Sequence, residues 1–230
     1  MGEQMEDIIY DYLFQYQEAY KLFRRIETLG NIYLIGGVLR EYKEAGSIHD
    51  SRDIDIIVKT REPRLKRLLS QYDTKRNSFG GYKVFCDGIV FDIWLLKDTW
   101  AYRENVVRCP SKQYAKKLTD TVFLNVDGII YDWKKKKWDT KYYDYAMREN
   151  KLDVVLEKNP QMTLNLYRTL VIKKKYDMSV SERLRKCILE NVQNVGDTAE
   201  KMYMIQERRY KEEVLTKDDI KLELKKILEM

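Results

Sequence analysis

The feature that most constrains this fold is a short apolar strand that runs into two glycines and then into a helix. The strand covers residues 31–35 (NIYLI), Gly36 and Gly37 follow, and a helical pattern occupies residues 38–45. Two consecutive glycines let the backbone turn tightly and approach a ligand, and the free N–H groups at the start of the next helix attract anions. The sequence therefore predicts a phosphate-binding turn, to which Arg40, one turn into the helix, adds a positive charge.

Two aspartates lie in the next predicted strand, DIDIIVK at residues 53–59. Because side chains alternate along a strand, Asp53 and Asp55 share one face, with Cα atoms about 6.5–7 Å apart. Ile54, Ile56 and Val58 then face the core. Two carboxylates on one face repel each other, and a bound divalent cation relieves that repulsion.

A third acid, Asp92, interrupts the apolar strand IVFDIWLL. A carboxylate inside such a run is costly if it is buried without a partner. Three acids beside a glycine turn suit a two-metal site for phosphoryl or nucleotidyl transfer, and oxygen ligands favour Mg²⁺ or Mn²⁺. Structural interpretations stay open: the glycines as an ordinary turn, the acid pair as a solvated strand edge, and Asp92 in an ion pair with Arg52 or Lys83.

The excess of positive over negative charge is confined to the middle third of the chain. Residues 101–175 contain 17 Lys and Arg against 9 Asp and Glu, a local net charge of +8, although the whole chain carries only +6. Lys134, Lys135, Lys136 and Lys137 stand between Trp133 and Trp138 in this segment. Cations with neighbouring aromatic rings suit a nucleic acid, and the four lysines are the predicted contacts. A solvated lysine turn is the alternative.

Composition excludes several other classes of protein. The chain has 230 residues with 44% hydrophobic and 35% charged residues, an ordinary globular balance, and lacks the apolar run of about 20 residues that a membrane span needs. Three cysteines and one histidine at wide spacings predict neither a disulfide framework nor a zinc site. No secretory signal opens the sequence, so we expect a reducing, cytoplasmic setting without membrane contact.

The remaining patterns predict an α+β fold of two parts. We expect one amphipathic helix over residues 4–29, a basic helix from Pro63 through Tyr72, and hairpins over 82–96 and 121–133. After about Tyr142 only helical periodicity remains. The predicted fold is a small mixed-sheet domain over residues 1–140, followed by an all-helical domain over 141–230.

The charged motifs resemble those of a known superfamily. Gly36–Arg40 (GGVLR), then Arg52–Asp55 (RDID) and Phe91–Ile93 (FDI), are similar to the signature of polymerase-β-type nucleotidyltransferases, most closely the head domain of bacterial (class II) CCA-adding enzymes and poly(A) polymerases. The resemblance implies a nucleotidyltransferase head with a helical neck and body. It also implies that Asp53 and Asp55 bind Mg²⁺ and that Asp92 helps to activate the attacking hydroxyl.

A weaker resemblance continues to about residue 180. Asn125 stands at an asparagine of a family motif whose arginine pair is replaced here by Thr119 and Asp120, and Arg168 matches the neck pattern EDxxRxxR. Met162 and Asn165 stand where that pattern has an acid and an arginine, which argues against ordered CCA addition. The nucleotide-binding positions that the resemblance implies are Gly36, Gly37, Arg40, Arg52, Asn125 and Arg168.

Three functions follow as hypotheses. The leading one is Mg²⁺- or Mn²⁺-dependent transfer of a nucleoside monophosphate from a nucleoside triphosphate such as ATP to a hydroxyl of RNA, with a tRNA 3′ end as the expected acceptor. The second is the same transfer to a small molecule or a protein. The third is an inactive nucleic-acid-binding or interaction module, against which the retained acids argue. The sequence leaves the oligomeric state open.

Overall fold

The computed structural model describes residues 5–49, 53–77, 79–209 and 213–229. The chain divides into two compact units. The first comprises Met1–Thr121 and Asp127–Thr140, and the second comprises Val122–Val126 and Lys141–Met230. That residues 1–140 and 141–230 are separate domains stays a prediction. Among the described residues, no helix is both long enough and apolar enough to cross a bilayer.

The first unit is built on a mixed seven-stranded sheet with the order β3-β4-β5-β2-β1-β6-β7. Strands β2 and β5 are parallel, and every other neighbouring pair is antiparallel. Together with the helices, this sheet confirms the predicted α+β class. Its strands are β1 (Asn31–Ile35), β2 (Asp53–Lys59), β3 (Asp73–Arg76), β4 (Tyr82–Cys86), β5 (Ile89–Leu95), β6 (Ile130–Asp132) and β7 (Lys137–Asp139).

Alternation along β2 explains how the sheet is packed. Ile54, Ile56 and Val58 have no exposed surface, as the period of two predicts. Ile57, on the opposite face with the two aspartates, is also buried, in a second cluster with Tyr33. The face that carries the acids is therefore polar at the start of β2 and apolar towards its end.

The described residues of the first unit form five helices and two 3₁₀ segments, and a third 3₁₀ segment runs from the second unit into the first. The helix expected over residues 4–29 is two helices, because Tyr16 leaves the helical region of φ and ψ (−122°, 84°). The basic helix ends at Leu69 rather than at Tyr72. The helices are α1 (Met5–Phe14), α2 (Gln17–Glu27), α3 (Gly37–Ala45), α4 (Glu62–Leu69) and α5 (Trp100–Arg103), and the 3₁₀ segments are Leu96–Asp98, Ser111–Thr121 and Asn125–Asp127.

The first predicted hairpin is confirmed and the second is wrong. Strands β4 and β5 pair around Asp87–Gly88, whose positive φ values of 53° and 82° are those of a tight hairpin turn. Residues 121–126 form no strand; Leu124 makes a single antiparallel bridge to Val154. Strand β6 pairs instead with β1 and with β7, so that the lysine run becomes the hairpin turn.

The second unit is almost entirely helical. Its core joins residues from every helix, and two two-residue strands, which the sequence did not predict, pair in parallel. Gln206, with no exposed surface, accepts hydrogen bonds from the Tyr167 hydroxyl (2.6 Å) and from the N–H of Leu215 (2.9 Å). The elements are α6 (Lys141–Glu149), β8 (Lys151–Leu152), α7 (Met162–Tyr176), β9 (Ser179–Val180), α8 (Glu182–Asn191), α9 (Val195–Arg209) and α10 (Lys217–Glu229).

Candidate active site

The acids predicted as catalytic lie together on one face of the sheet. Asp55 of β2 is directly beside Asp92 of β5 in the parallel ladder, and Asp53 is beside Val90. Because neighbouring residues in register point to the same side, all three carboxylates share a face. Lys83 of β4 continues the row beyond Asp92. The structure therefore brings the three sequence-predicted acids together and adds a lysine.

The glycine turn lies against the second of these acids. Gly36 has φ of 80°, a region open to glycine, and α3 begins at the next residue. A Cβ atom at Gly36 would collide with Oδ2 of Asp55. Only a residue without a side chain fits this close approach, and it places the N-terminal N–H groups of α3 beside the carboxylate row.

Asp92 is held by an ion pair. Nζ of Lys83 lies 2.8 Å from Oδ2 of Asp92, and their side chains are 37% and 18% exposed. Of the two partners that the sequence left open, Lys83 is paired with Asp92 in the structure. Arg52, the other one and a predicted nucleotide-binding residue, lies outside the described residues. The third acid thus has a cation as its neighbour.

The local electrostatics connect Asp53 with the other two side chains. Partial burial raises the pKa of Asp53; the charge of Lys83 opposes this shift and the charge of Asp92 adds to it. Both charges act on Asp53 because the three groups share the same face. The ionised form of Asp53 is therefore less favoured than that of a solvent-exposed aspartate.

The chemistry of these donors suits a hard divalent cation. Only carboxylate oxygens are offered by Asp53, Asp55 and Asp92, and the raised pKa of Asp53 marks a face where extra positive charge is favourable. In the described part of the chain, however, no three or more His, Cys, Asp or Glu side chains are arranged to hold a metal. The chemical type of these donors fits Mg²⁺, but Asp92 is paired with Lys83 and not arranged with the other two acids around a metal.

Arg40 lies in α3 behind the glycine turn. Its Nη1 donates a hydrogen bond of 2.6 Å to Oδ1 of Asp127, and both side chains are largely buried, 19% and 10% exposed. This pair fixes the guanidinium close to the start of α3. Sequence reasoning did not identify Asp127. That Arg40 contacts the triphosphate stays a prediction.

Two predicted nucleotide-binding residues belong to the second unit. Asn125 is 2% exposed, donates to the carbonyl of Lys151 (2.9 Å) and accepts from the N–H of Asp153 (3.0 Å). Its amide is therefore engaged with the backbone. Arg168 lies in α7 and is half-buried. A nucleotide-binding role for either residue stays a prediction.

The lysine run is exposed, but its flanking tryptophans are occupied. Trp133 packs edge-on against Phe23 (5.0 Å between centroids), and Nε1 donates to Glu27. Trp138 stacks on Tyr42 at 5.9 Å. Both rings therefore already pack against other aromatic side chains, and a role of the lysine run in nucleic-acid binding stays a prediction. The exposed residues of the run are Lys134, Lys135, Lys136 and Lys137.

Comparison with known proteins gives fold-level matches only. A scan of protein-family models finds no match, and neither does a search of curated proteins. Solved structures do match. A CCA-adding enzyme with ATP shares 15% identity at a TM-score of 0.61, over 90% of this chain and 51% of that one.

Two further solved structures agree with it. A tRNA-processing enzyme with CTP has a TM-score of 0.56 and 15% identity, over 86% of this chain and 54% of that one. The Thermotoga maritima CCA-adding enzyme complexed with tRNA has a TM-score of 0.55 and 16% identity, over 90% and 51%. The chain spans about half the length of these proteins. Its fold is similar to that of these enzymes, which confirms the predicted likeness to CCA-adding enzymes at the level of the fold.

Proposed function

We propose that this chain is a nucleotidyltransferase that moves a nucleoside monophosphate from a nucleoside triphosphate to a hydroxyl of RNA. The observation that carries the proposal is the row of Asp55 and Asp92 in register on parallel strands, with Asp53 on the same face and Gly36 packed against Asp55. The shared fold with CCA-adding enzymes supports it.

Each residue of the site has a proposed role that follows from its position: phosphate binding, proton acceptance or orientation of another side chain. The free N–H groups at the start of α3 would bind phosphate oxygens, and Gly36 lets this helix start approach Asp55 of the strand closely. Asp92, on the same face, is placed to accept the proton of an attacking hydroxyl. Lys83 supplies positive charge to this acid and orients it through the 2.8 Å contact.

A triphosphate beside three carboxylates brings negative charges together, so the site needs divalent cations. Asp53 and Asp55 would hold Mg²⁺ or Mn²⁺, since both are strand residues on one face and Asp92 is paired with Lys83. When bound, the metal neutralises phosphate charge and polarises the phosphoryl group.

RNA is the proposed acceptor for two reasons. The structural neighbours include a CCA-adding enzyme with ATP, a tRNA-processing enzyme with CTP and a CCA-adding enzyme complexed with tRNA. The middle of this chain also carries a net charge of +8, which suits a polyanion. A tRNA 3′ end is the specific acceptor we propose, and the surface-exposed lysine run would supply cations for phosphate contacts.

The test is nucleotide incorporation. Purified protein is incubated with tRNA trimmed at its 3′ end, Mg²⁺, and each labelled nucleoside triphosphate in turn, and products are resolved on a denaturing gel. We expect metal-dependent extension with at least one nucleotide. Absence of extension with all four would contradict RNA transfer. Labelling of a small molecule or of protein instead would support the second hypothesis from the sequence.

A further inference from the structure

A pocket lined by arginines lies on the first unit, away from the carboxylate face. It has a volume of about 250 Å³ and lies between α2 and α4. Leu29 and Leu68 contribute its apolar lining, and Thr28 and Gln71 contribute neutral polar groups. Its charged lining consists of Arg25, Arg64 and Arg67. No carboxylate lines it.

The arginines of this pocket differ from the lysines beside them. Lys66 on the same helix pairs with Glu62 at 3.0 Å, and Lys21 on α2 pairs with Glu18 at 2.7 Å. Arg64 and Arg67 form no ion pair with any residue that the structure describes. Their positive charge is therefore available to an external anion.

One guanidinium of the pocket is held in place. Nη1 of Arg25 donates a hydrogen bond of 3.1 Å to the hydroxyl of Tyr72, and its Cζ lies 5.8 Å from the centre of that ring. These contacts leave the other nitrogen donors of Arg25 for a ligand. A fixed, planar guanidinium matches the oxygens of a phosphate better than a mobile ammonium does.

The pocket lies at the opposite end of the sheet from the acids. Asn31 at the start of β1 pairs with Lys59 at the end of β2, next to α4 and to the end of α2, whereas Ile35 pairs with Asp55. Since a strand rises about 3.3 Å per residue, the two ends of β2 are roughly 20 Å apart. That distance corresponds to about six base pairs of a duplex.

We propose that this pocket, formed by Arg25, Arg64 and Arg67, binds the phosphodiester backbone of an RNA stem whose 3′ end reaches the carboxylate face. The choice of RNA rests on the proposed function. The lining of the pocket contains guanidinium groups, which bind phosphates, and no aromatic ring on which a base could stack. We therefore expect the pocket to contact phosphates and not bases. Binding there is independent of sequence and depends on stem length.

The test uses RNA hairpins that carry a single-stranded 3′ overhang, with stems of about three or about eight base pairs. Wild-type protein should bind the long stem about tenfold more tightly than the short one. The double variant Arg64→Gln/Arg67→Gln should lose this preference, and the slope of log affinity against log salt should fall by about 2. Fluorescence anisotropy over a salt series measures both quantities.

The matched control is Lys21→Gln/Lys66→Gln, which removes the same amount of charge, once from α2 and once from α4, but from cations that already have carboxylate partners. It should keep the stem-length preference. Circular dichroism and thermal unfolding confirm that both variants are folded. Unchanged affinity and salt slope in the arginine variant would overturn the proposal, as would an equal loss in the control.

Two outcomes distinguish RNA binding by the pocket from the proposed enzymatic activity and from binding of an acidic protein segment. If the protein transfers no nucleotide but the arginine variant loses the stem-length preference, the pocket binds RNA and the enzymatic proposal alone fails. Polyglutamate serves as the second probe. If the arginine variant loses affinity for polyglutamate while RNA binding is unchanged, the pocket takes an acidic protein segment, and the RNA proposal is overturned.

Discussion

The ammonium of Lys83 lies 2.8 Å from Oδ2 of Asp92, on the same sheet face as Asp53 and Asp55. One cation therefore lies at the end of the row of acids, next to Asp92. Since both Lys83 and Asp92 act on the pKa of Asp53, the lysine sets the balance of charge on the whole face. The affinity of this face for divalent cations should then depend on Lys83.

Removing that cation gives the first prediction. In Lys83→Met, Asp92 loses its partner, and we expect the free energy of unfolding to fall by about 1 kcal/mol in metal-free buffer, or roughly 2–4 °C in melting temperature. The more negative face should also attract Mg²⁺ more strongly, so that added Mg²⁺ raises the melting temperature of the variant more than that of wild type. Thermal unfolding with and without Mg²⁺ measures both effects.

Lys97→Met is the control for this prediction. Lys97 is 61% exposed and lies 4.0 Å from its nearest carboxylate, so its removal changes the net charge equally without opening the acid row. We expect an Mg²⁺ response like that of wild type. An equal Mg²⁺ response in Lys83→Met and in wild type would show that Lys83 does not control cation binding.

The second prediction concerns turnover. Asp53→Asn and Asp55→Asn keep the size of the side chain but remove its charge, and each should lower the rate of nucleotide incorporation by about two orders of magnitude or more. Asp73→Asn, at the exposed start of the edge strand β3, should leave the rate unchanged. Single-turnover kinetics on folded proteins give the comparison. Wild-type rates in either of the first two variants would remove the metal-ligand interpretation.

The third prediction follows from the raised pKa of Asp53. The folded protein holds this proton more tightly than the unfolded chain, so ionisation of Asp53 lowers stability as the pH rises from about 3.9, the ordinary value, through the raised pKa. Asp53→Asn should therefore be more stable than wild type near neutral pH in metal-free buffer. Because the residue is partly exposed, we expect only about 0.5 kcal/mol.

Urea unfolding at neutral pH and near pH 3.5, below the ordinary value of about 3.9, measures this difference. The advantage of Asp53→Asn should shrink at the acidic pH, where the aspartate is largely protonated in both folded and unfolded chains. A variant that is less stable than wild type at neutral pH would contradict the assigned direction of the pKa shift.

How much of this site the sequence predicts depends on how local each contact is. A two-residue turn at Asp87–Gly88 fixes the register of its hairpin, so that Lys83 must face Asp92. This relation could be read from the sequence, although Lys83 entered there only as one of two ion-pair candidates. The alternation of Asp53 and Asp55 is equally local.

The pairings that the sequence did not reveal join distant segments. The parallel contact of Asp55 with Asp92 forms across α4, β3 and β4, and no local period encodes it. The wrong hairpin at residues 121–133 has the same origin: β6 is only three residues long and is held by β1, almost 100 residues away in sequence. Short strands carry too few alternating residues to be recognised without their partners.

The last prediction tests the close approach of Gly36 to Asp55. Gly36 and Gly46 flank the same helix, α3, and both have positive φ, 80° and 72°. An added Cβ at Gly36 would collide with Oδ2 of Asp55, whereas at Gly46 it would meet nothing within 4 Å. Gly46 is in the αL region (ψ 4°), so Gly46→Ala should lose only about 1 kcal/mol, from backbone conformation. Gly36 (ψ −144°) is in a region nearly restricted to glycine, so Gly36→Ala should lose roughly 3 kcal/mol from backbone and collision together and, by displacing Asp55, most of its Mg²⁺ stabilisation. Urea unfolding and Mg²⁺-dependent melting of the pair give the comparison, and equal losses would show that the glycine turn does not position Asp55.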